Sequence, residues 1–146
     1  MLRTAAQRAL ITTELAWTAS LVAAAYVISH APPGSVAHAL AAFEYSAARL
    51  ICHQRPERSF FVWDVKLPVC ARCAGIYAGA ACAAVFGTRR IARPGLTVAL
   101  AALPAVVSLV YEWTTGVTPS NLVRAATGVI AGFTVMAVLL RELRGE

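Results

Sequence analysis

The sequence predicts an all-α fold: an integral membrane bundle of about four transmembrane helices plus one amphipathic or re-entrant helix. Three observations carry this. The 146 residues are 59% hydrophobic and only 14% charged, against about 25% charged in a soluble domain. The mean hydropathy is +0.66. The apolar residues also fall in long runs, and a membrane span needs about 20 mostly apolar residues. The length fits a single membrane domain over residues 1–146.

Four runs qualify, at about 9–29, 69–88, 96–113 and 122–140. Helices are expected because backbone polar groups must pair internally in lipid. Glu14 lies near the start of the first run, and a cleavable signal peptide is the alternative reading of that run. His30-Ala31-Pro32-Pro33-Gly34 closes it. Pro104 lies inside the third run, and Ser120 or Asn121 is placed to cap the fourth. Between the first two runs, Val36, Leu40, Phe43, Ala47 and Leu50 recur at helical spacing over residues 35–51. His38, Glu44 and Arg49 interrupt them, so this stretch reads as an interfacial amphipathic helix, with a fifth span as the alternative.

The net charge of +6 suits contact with a lipid bilayer rather than nucleic acid, because no aromatics interleave the basic residues. Arg3, Arg8, Arg89, Arg90, Arg93, Arg141 and Arg144 fall on one side of a four-span chain. The positive-inside rule makes that side, with both termini, cytoplasmic and the 52–73 loop extracytoplasmic, in a prokaryotic cytoplasmic membrane. Gly75, Gly79, Ala83 and Gly87 form one small-residue face, and Gly128 and Gly132 another. Such faces let helices approach closely, within one chain or in a homo-oligomer.

The chemistry concentrates in the Cys/His loop, residues 52–73. Cys70 and Cys73 share a helix face, and a helix N-terminus lowers thiol pKa. With Cys52 and His53 they make a candidate Cys3His metal site, with zinc the expected ion. A thiol–disulfide pair at Cys70 and Cys73 is the rival, with Cys52 as resolving thiol, and a plain structural disulfide is the third reading. Haem attachment is excluded, because Ala74 stands where Cys-x-x-Cys-His needs a histidine. Cys82 reads as a small buried hydrophobe, and His30 and His38 as isolated interfacial residues. Two spans separate the Cys loop from the 114–120 loop, so both emerge on one membrane face. Arg58, Arg72, Asn121 and Arg124 therefore gather with the thiols as candidate anion- or substrate-binding residues, for an anionic lipid or a phosphate. Glu112 is the candidate base if a metal-bound water acts as nucleophile, and an ion pair with Arg124 is its alternative role.

The residues Cys52-His53-Gln54-Arg55-Pro56-Glu57-Arg58-Ser59, then Pro68-Val69-Cys70-Ala71-Arg72-Cys73-Ala74-Gly75, resemble the family of small predicted membrane proteins catalogued as DUF2085. That family's pattern is similar to Cys-His-x-x-Pro-x-Arg-Ser followed by Pro-x-Cys-x-Arg-Cys-x-Gly, with a later Asn-x-x-Arg-x-x-Thr-Gly matched by Asn121, Arg124, Thr127 and Gly128. The likeness covers about residues 50–132. Glu112-Trp113 stands where the family usually has Asp-Gly, and Ala74 where Thr is common. The resemblance implies an integral membrane protein with a cysteine-rich site and implies no activity. Two further classes stay open beside the metal site: a membrane thiol–disulfide protein, and a structural or assembly subunit of a membrane complex.

Overall fold

The computed structural model describes residues 4–87 and 92–143. Arg3, Arg89, Arg90 and Arg144, four of the arginines that bear on orientation, lie outside the described residues. The chain runs α1 (Ala5–His30), α2 (Val36–Ala48), a short 3-10 turn (Pro56–Arg58), β1 (Phe61–Val62), β2 (Val65–Lys66), α3 (Ala71–Phe86), α4 (Pro94–Thr115) and α5 (Asn121–Glu142). α1, α4 and α5 are long and apolar enough to cross a membrane.

α3 is shorter than the 69–88 run that contains it, at 16 residues. Hydropathy cannot separate helix from buried loop. Val69 and Cys70 are buried but precede the helix, and Gly87 ends it at φ +72°, a conformation that favours glycine.

Each helix start has a local cause. Thr4 accepts from the Gln7 backbone N–H while the Gln7 side chain accepts from the Thr4 N–H, a capping box. Ser35 and Ser120 cap α2 and α5, so the serine is the cap of α5 and Asn121 its first residue. Proline opens α4, and Pro104 sits within it without dividing the helix. Gly116 closes α4 in the left-handed conformation.

The bundle is organised by a parallel seam. Gly75 and Gly79 of α3 rest against the backbone of Ala125 and Val129 in α5, and Gly128 and Gly132 of α5 rest against Arg72 and Ile76 in α3. A Cβ at any of the four would overlap backbone atoms. These four glycines are therefore filled within one chain, while a Cβ at Gly87, the last of the α3 face, would meet nothing within 4 Å. Of the two arrangements expected of these faces, these four positions take the packing within one chain.

α1 runs opposite to α3 and α5. Gln7 near its start donates to the carbonyl of Leu140 near the end of α5 at 2.6 Å. Leu21 further along packs with Val69 and Cys70 ahead of α3. Ile11, Ala80, Ala83, Ala84, Met136 and Leu140 form the core at the far end. Cys82 falls outside that core and is exposed. The expectation that it is a buried hydrophobe is corrected: the seam takes the Gly75/Gly79/Ala83 face of α3, and Cys82 lies off it.

α2 is a helix as expected, with its faces reversed relative to a soluble protein. Its apolar stripe points away from the bundle, with Val36 78%, Leu40 65% and Phe43 72% exposed. Ala41 and Ala48 are buried instead, Glu44 accepts from Ser20 of α1 at 2.8 Å, and the Tyr45 hydroxyl donates to the carbonyl of Lys66. α4 follows the same rule. It buries Ala101, Ser108 and Glu112 and leaves Leu103, Val106, Val107 and Val110 exposed.

Candidate metal centre

The end of the bundle that holds the α3 and α5 N-termini also holds residues 49–70. Ala48 sits at the end of α2 and accepts the backbone N–H of Cys52 at 2.9 Å, which fixes the first thiol. Gln54 takes a positive φ of 49° and donates from its side chain to the Tyr45 carbonyl at 2.7 Å. Lys66 donates to the Gln54 carbonyl at 2.7 Å. The chain then reverses through Trp63 and Asp64, both at positive φ, between Val62 and Val65 paired antiparallel. That is the sign pattern of a type I′ hairpin turn, and Ser29 at the end of α1 secures it by donating to the Trp63 carbonyl at 3.0 Å. Leu67, Pro68 and Val69 are buried and deliver Cys70 to the N-cap of α3.

Three thiols meet there. The sulfurs of Cys52, Cys70 and Cys73 all lie within 4.8 Å of one another, and all three are free. Cys52 and Cys70 are buried and Cys73 half-buried. The Cys70 backbone N–H donates to the Cys52 sulfur at 3.1 Å. Hydrogen bonds from Cys52 and Cys73 hold the Cys70 thiol below its ordinary range, and the charge of His53 acts in the same direction. His53 itself is exposed and its Nδ1 accepts from the Arg55 backbone N–H at 3.1 Å. It stands beside the trio rather than within it.

The donor set fits a zinc-class ion. Tetrahedral Zn–S bonds of about 2.3 Å place sulfurs roughly 3.8 Å apart. A trio already within 4.8 Å, anchored on one helix end and one loop, needs only a small closure. Three protein thiolates leave a fourth position for His53 or another donor.

Behind the thiols lies a charged cluster. Glu112 is 5% exposed; one oxygen accepts from Arg58 at 2.6 Å and the other from Arg124 at 3.1 Å. Thr118 donates to the first of these oxygens at 3.3 Å. Arg124 is 1% exposed. Arg72 donates to Ser108 at 3.2 Å, and Asn121 donates to the Ser59 carbonyl at 3.1 Å. Arg58, Arg72, Glu112, Asn121 and Arg124 thus all lie at the thiol end. Sequence reasoning missed the buried Gln7 and Gln54 and the Trp63-Asp64 turn. The signal for the first was the Thr4/Gln7 spacing of a capping box; the turn carries no Asn-Gly or Asp-Gly pair to announce it.

The fold and site define a small helical membrane protein with a cysteine cluster at one end of its bundle. The chain belongs to the family described as predicted membrane protein, DUF2085, whose model matches residues 52–138. The matched stretch begins at the first thiol and runs through the seam to the last turns of α5. An uncharacterised protein of Methanocaldococcus jannaschii is 36% identical over 102 residues, covering 66% of this chain and 65% of its own. The match thus spans just under two thirds of that relative's length. A second, from Methanothermobacter thermautotrophicus, is 36% identical over 100 residues, covering 66% of this chain and 89% of its own. No solved structure matches the chain.

Proposed function

We propose that the protein is a small integral membrane protein that holds one zinc-class ion through Cys52, Cys70 and Cys73, with His53 as fourth ligand. The observation that carries this reading is the convergence of three free sulfurs within 4.8 Å. Bound there, the ion would add a structural cross-link between the 52–70 loop and the head of α3, alongside the hydrogen bonds that already hold the loop. Glu112 has no part in proton transfer on this reading. Both its oxygens are held by guanidinium groups, so it fastens α4 to α5 and the loop.

The same proposal places α3 as a fourth span, since its seam with α5 surrounds it with helices that are themselves long enough to cross. α2 lies along the interface with Val36, Leu40 and Phe43 in lipid. The termini face the cytoplasm of a prokaryotic cell and the thiol end faces outward.

Elemental analysis of the purified chain and its Cys70→Ser variant tests the metal. About one zinc per chain in the wild type, lost in the variant, is expected; a metal-free wild type that takes up no zinc overturns the reading. A membrane thiol–disulfide protein working through Cys70 and Cys73 is the second reading, favoured by the lowered Cys70 thiol. Alkylation and mass spectrometry separate the two. A Cys70–Cys73 disulfide in the isolated protein supports the redox reading, whereas thiols protected until a chelator is added support the metal.

A further inference from the structure

The arginine cluster has more positive charge than its carboxylate partners balance. Arg58 and Arg124 share one buried carboxylate, Glu112, while Arg72 hydrogen-bonds Ser108 and feels Glu112 and the thiols only through their charge. Glu57 approaches Arg58 only at 4.0 Å and is 60% exposed, so water screens it. Arg72 stands within electrostatic reach of Arg124 and Glu112 on one side and of Cys70 and Cys73 on the other. Buried charge without a partner is strongly unfavourable.

The hydrogen bonding shows the same surplus. The Nε atoms of Arg58, Arg72 and Arg124 are all buried, and each finds no acceptor among the described residues. Arg124 is 99% buried overall, from its exposure of 1%. Guanidinium donors are rarely left unmatched in a folded interior. Two helix N-termini, those of α3 and α5, also end here, and each adds a partial positive charge. Arg58 is 22% exposed, so the cluster opens toward the outside at that side chain.

We infer that Arg58, Arg72 and Arg124 form a binding site for a tetrahedral phosphate-class anion. Phosphate suits the site better than carboxylate, because its oxygens can accept from several guanidinium forks at once. The anion is either free phosphate or the phosphate of a lipid headgroup. Either would enter past Arg58, which is 22% exposed. This site does not depend on the metal reading.

The full chain is purified in detergent as isolated, its zinc content is measured, and each titration is run both on that protein and after chelation, so that binding through the metal is told apart from binding through the arginines. Inorganic phosphate is titrated by calorimetry. Phosphatidylglycerol is tested in parallel by native mass spectrometry of the chain in nanodiscs of phosphatidylcholine with and without it. Binding of inorganic phosphate identifies the free anion, and selective retention of phosphatidylglycerol identifies the headgroup; either supports the site. Arg58→Gln is expected to weaken the binding about 10- to 100-fold, as loss of a charged hydrogen bond does, and Arg58→Lys less. Wild-type protein that binds neither probe overturns the inference, whatever the variants do. Equal binding by wild type and a folded Arg58→Gln overturns it too.

Discussion

Replacing Gly132 by alanine puts the α3–α5 seam under test at a position away from the thiols. A Cβ there would run into the carbonyl of Ile76, with the carbonyl carbon at 2.6 Å and the Cα at 2.8 Å. Carbon atoms in good contact sit about 3.5–4.0 Å apart, so the helices must part by roughly an ångström. The obstacle is backbone on both sides and cannot rotate away. Overpacking of this kind costs about 1–3 kcal/mol, and a steric conflict with backbone belongs at the upper end. Alanine gains about 1 kcal/mol over glycine in helix propensity. The net expectation is a loss of about 2 kcal/mol. Gly95→Ala is the control, because a Cβ at Gly95 meets nothing within 4 Å and only the propensity gain applies. Both variants are unfolded reversibly in detergent with increasing dodecyl sulfate, followed by far-ultraviolet circular dichroism. Gly132→Ala should shift the midpoint down and Gly95→Ala should leave it level or higher. A Gly132→Ala midpoint equal to or above wild type would refute the close backbone packing.

Two further expectations concern the reversed faces and the buried charge. Glu112→Gln leaves Arg124, 1% exposed, without its anion, and should cost about 3–5 kcal/mol in the same unfolding assay, with part recovered by adding Arg124→Met; a change under about 0.5 kcal/mol, the scale of a neutral surface substitution, would show the pair to be unimportant. Phe43→Trp places a fluorophore where the side chain is 72% exposed, and brominated lipids should quench it in vesicles, whereas equal emission in brominated and ordinary lipid would mean that α2 lies away from the bilayer.

Much of this arrangement is legible in the residues. The apolar runs that become α1, α4 and α5 are found within a few residues, because hydropathy over 20 positions averages out local exceptions. The small-residue faces of α3 and α5 are visible as four-residue spacing, yet spacing alone does not say that they meet each other. Counting spans puts Cys52, Cys70, Cys73, Glu112 and Arg124 at one end, since an even number of crossings returns the chain to the same face. What the residues do not show is direction at close range. The Val36/Leu40/Phe43 stripe marks a helix without saying whether it turns toward protein or lipid. Adjacency of Cys52 and His53 suggests joint ligation, but it does not show that the imidazole is exposed beside the sulfur trio with Nδ1 accepting from the Arg55 backbone N–H. Val69 and Cys70 read as helix from their hydropathy, while the loop that delivers them is set by long-range contacts with Leu21 and Ala48.

The shortness of α3 has a bearing on the bilayer around it. Sixteen residues make about 24 Å of helix, against a hydrocarbon core of about 30 Å. Placed across a membrane as proposed, α3 leaves a deficit of about 6 Å. Neighbouring α4 and α5, at 22 residues each, measure about 33 Å and have none. Lipid beside α3 must thin, or polar chain must enter to meet its ends. On that placement the Leu67–Cys70 segment, buried in protein, would do the second at the thiol end, carrying irregular backbone inward away from lipid. If α3 crosses as proposed, hydrophobic thickness would become a variable of the cysteine centre: a thinner bilayer would relieve the mismatch and bring the thiols closer to water, and a thicker one would withdraw them.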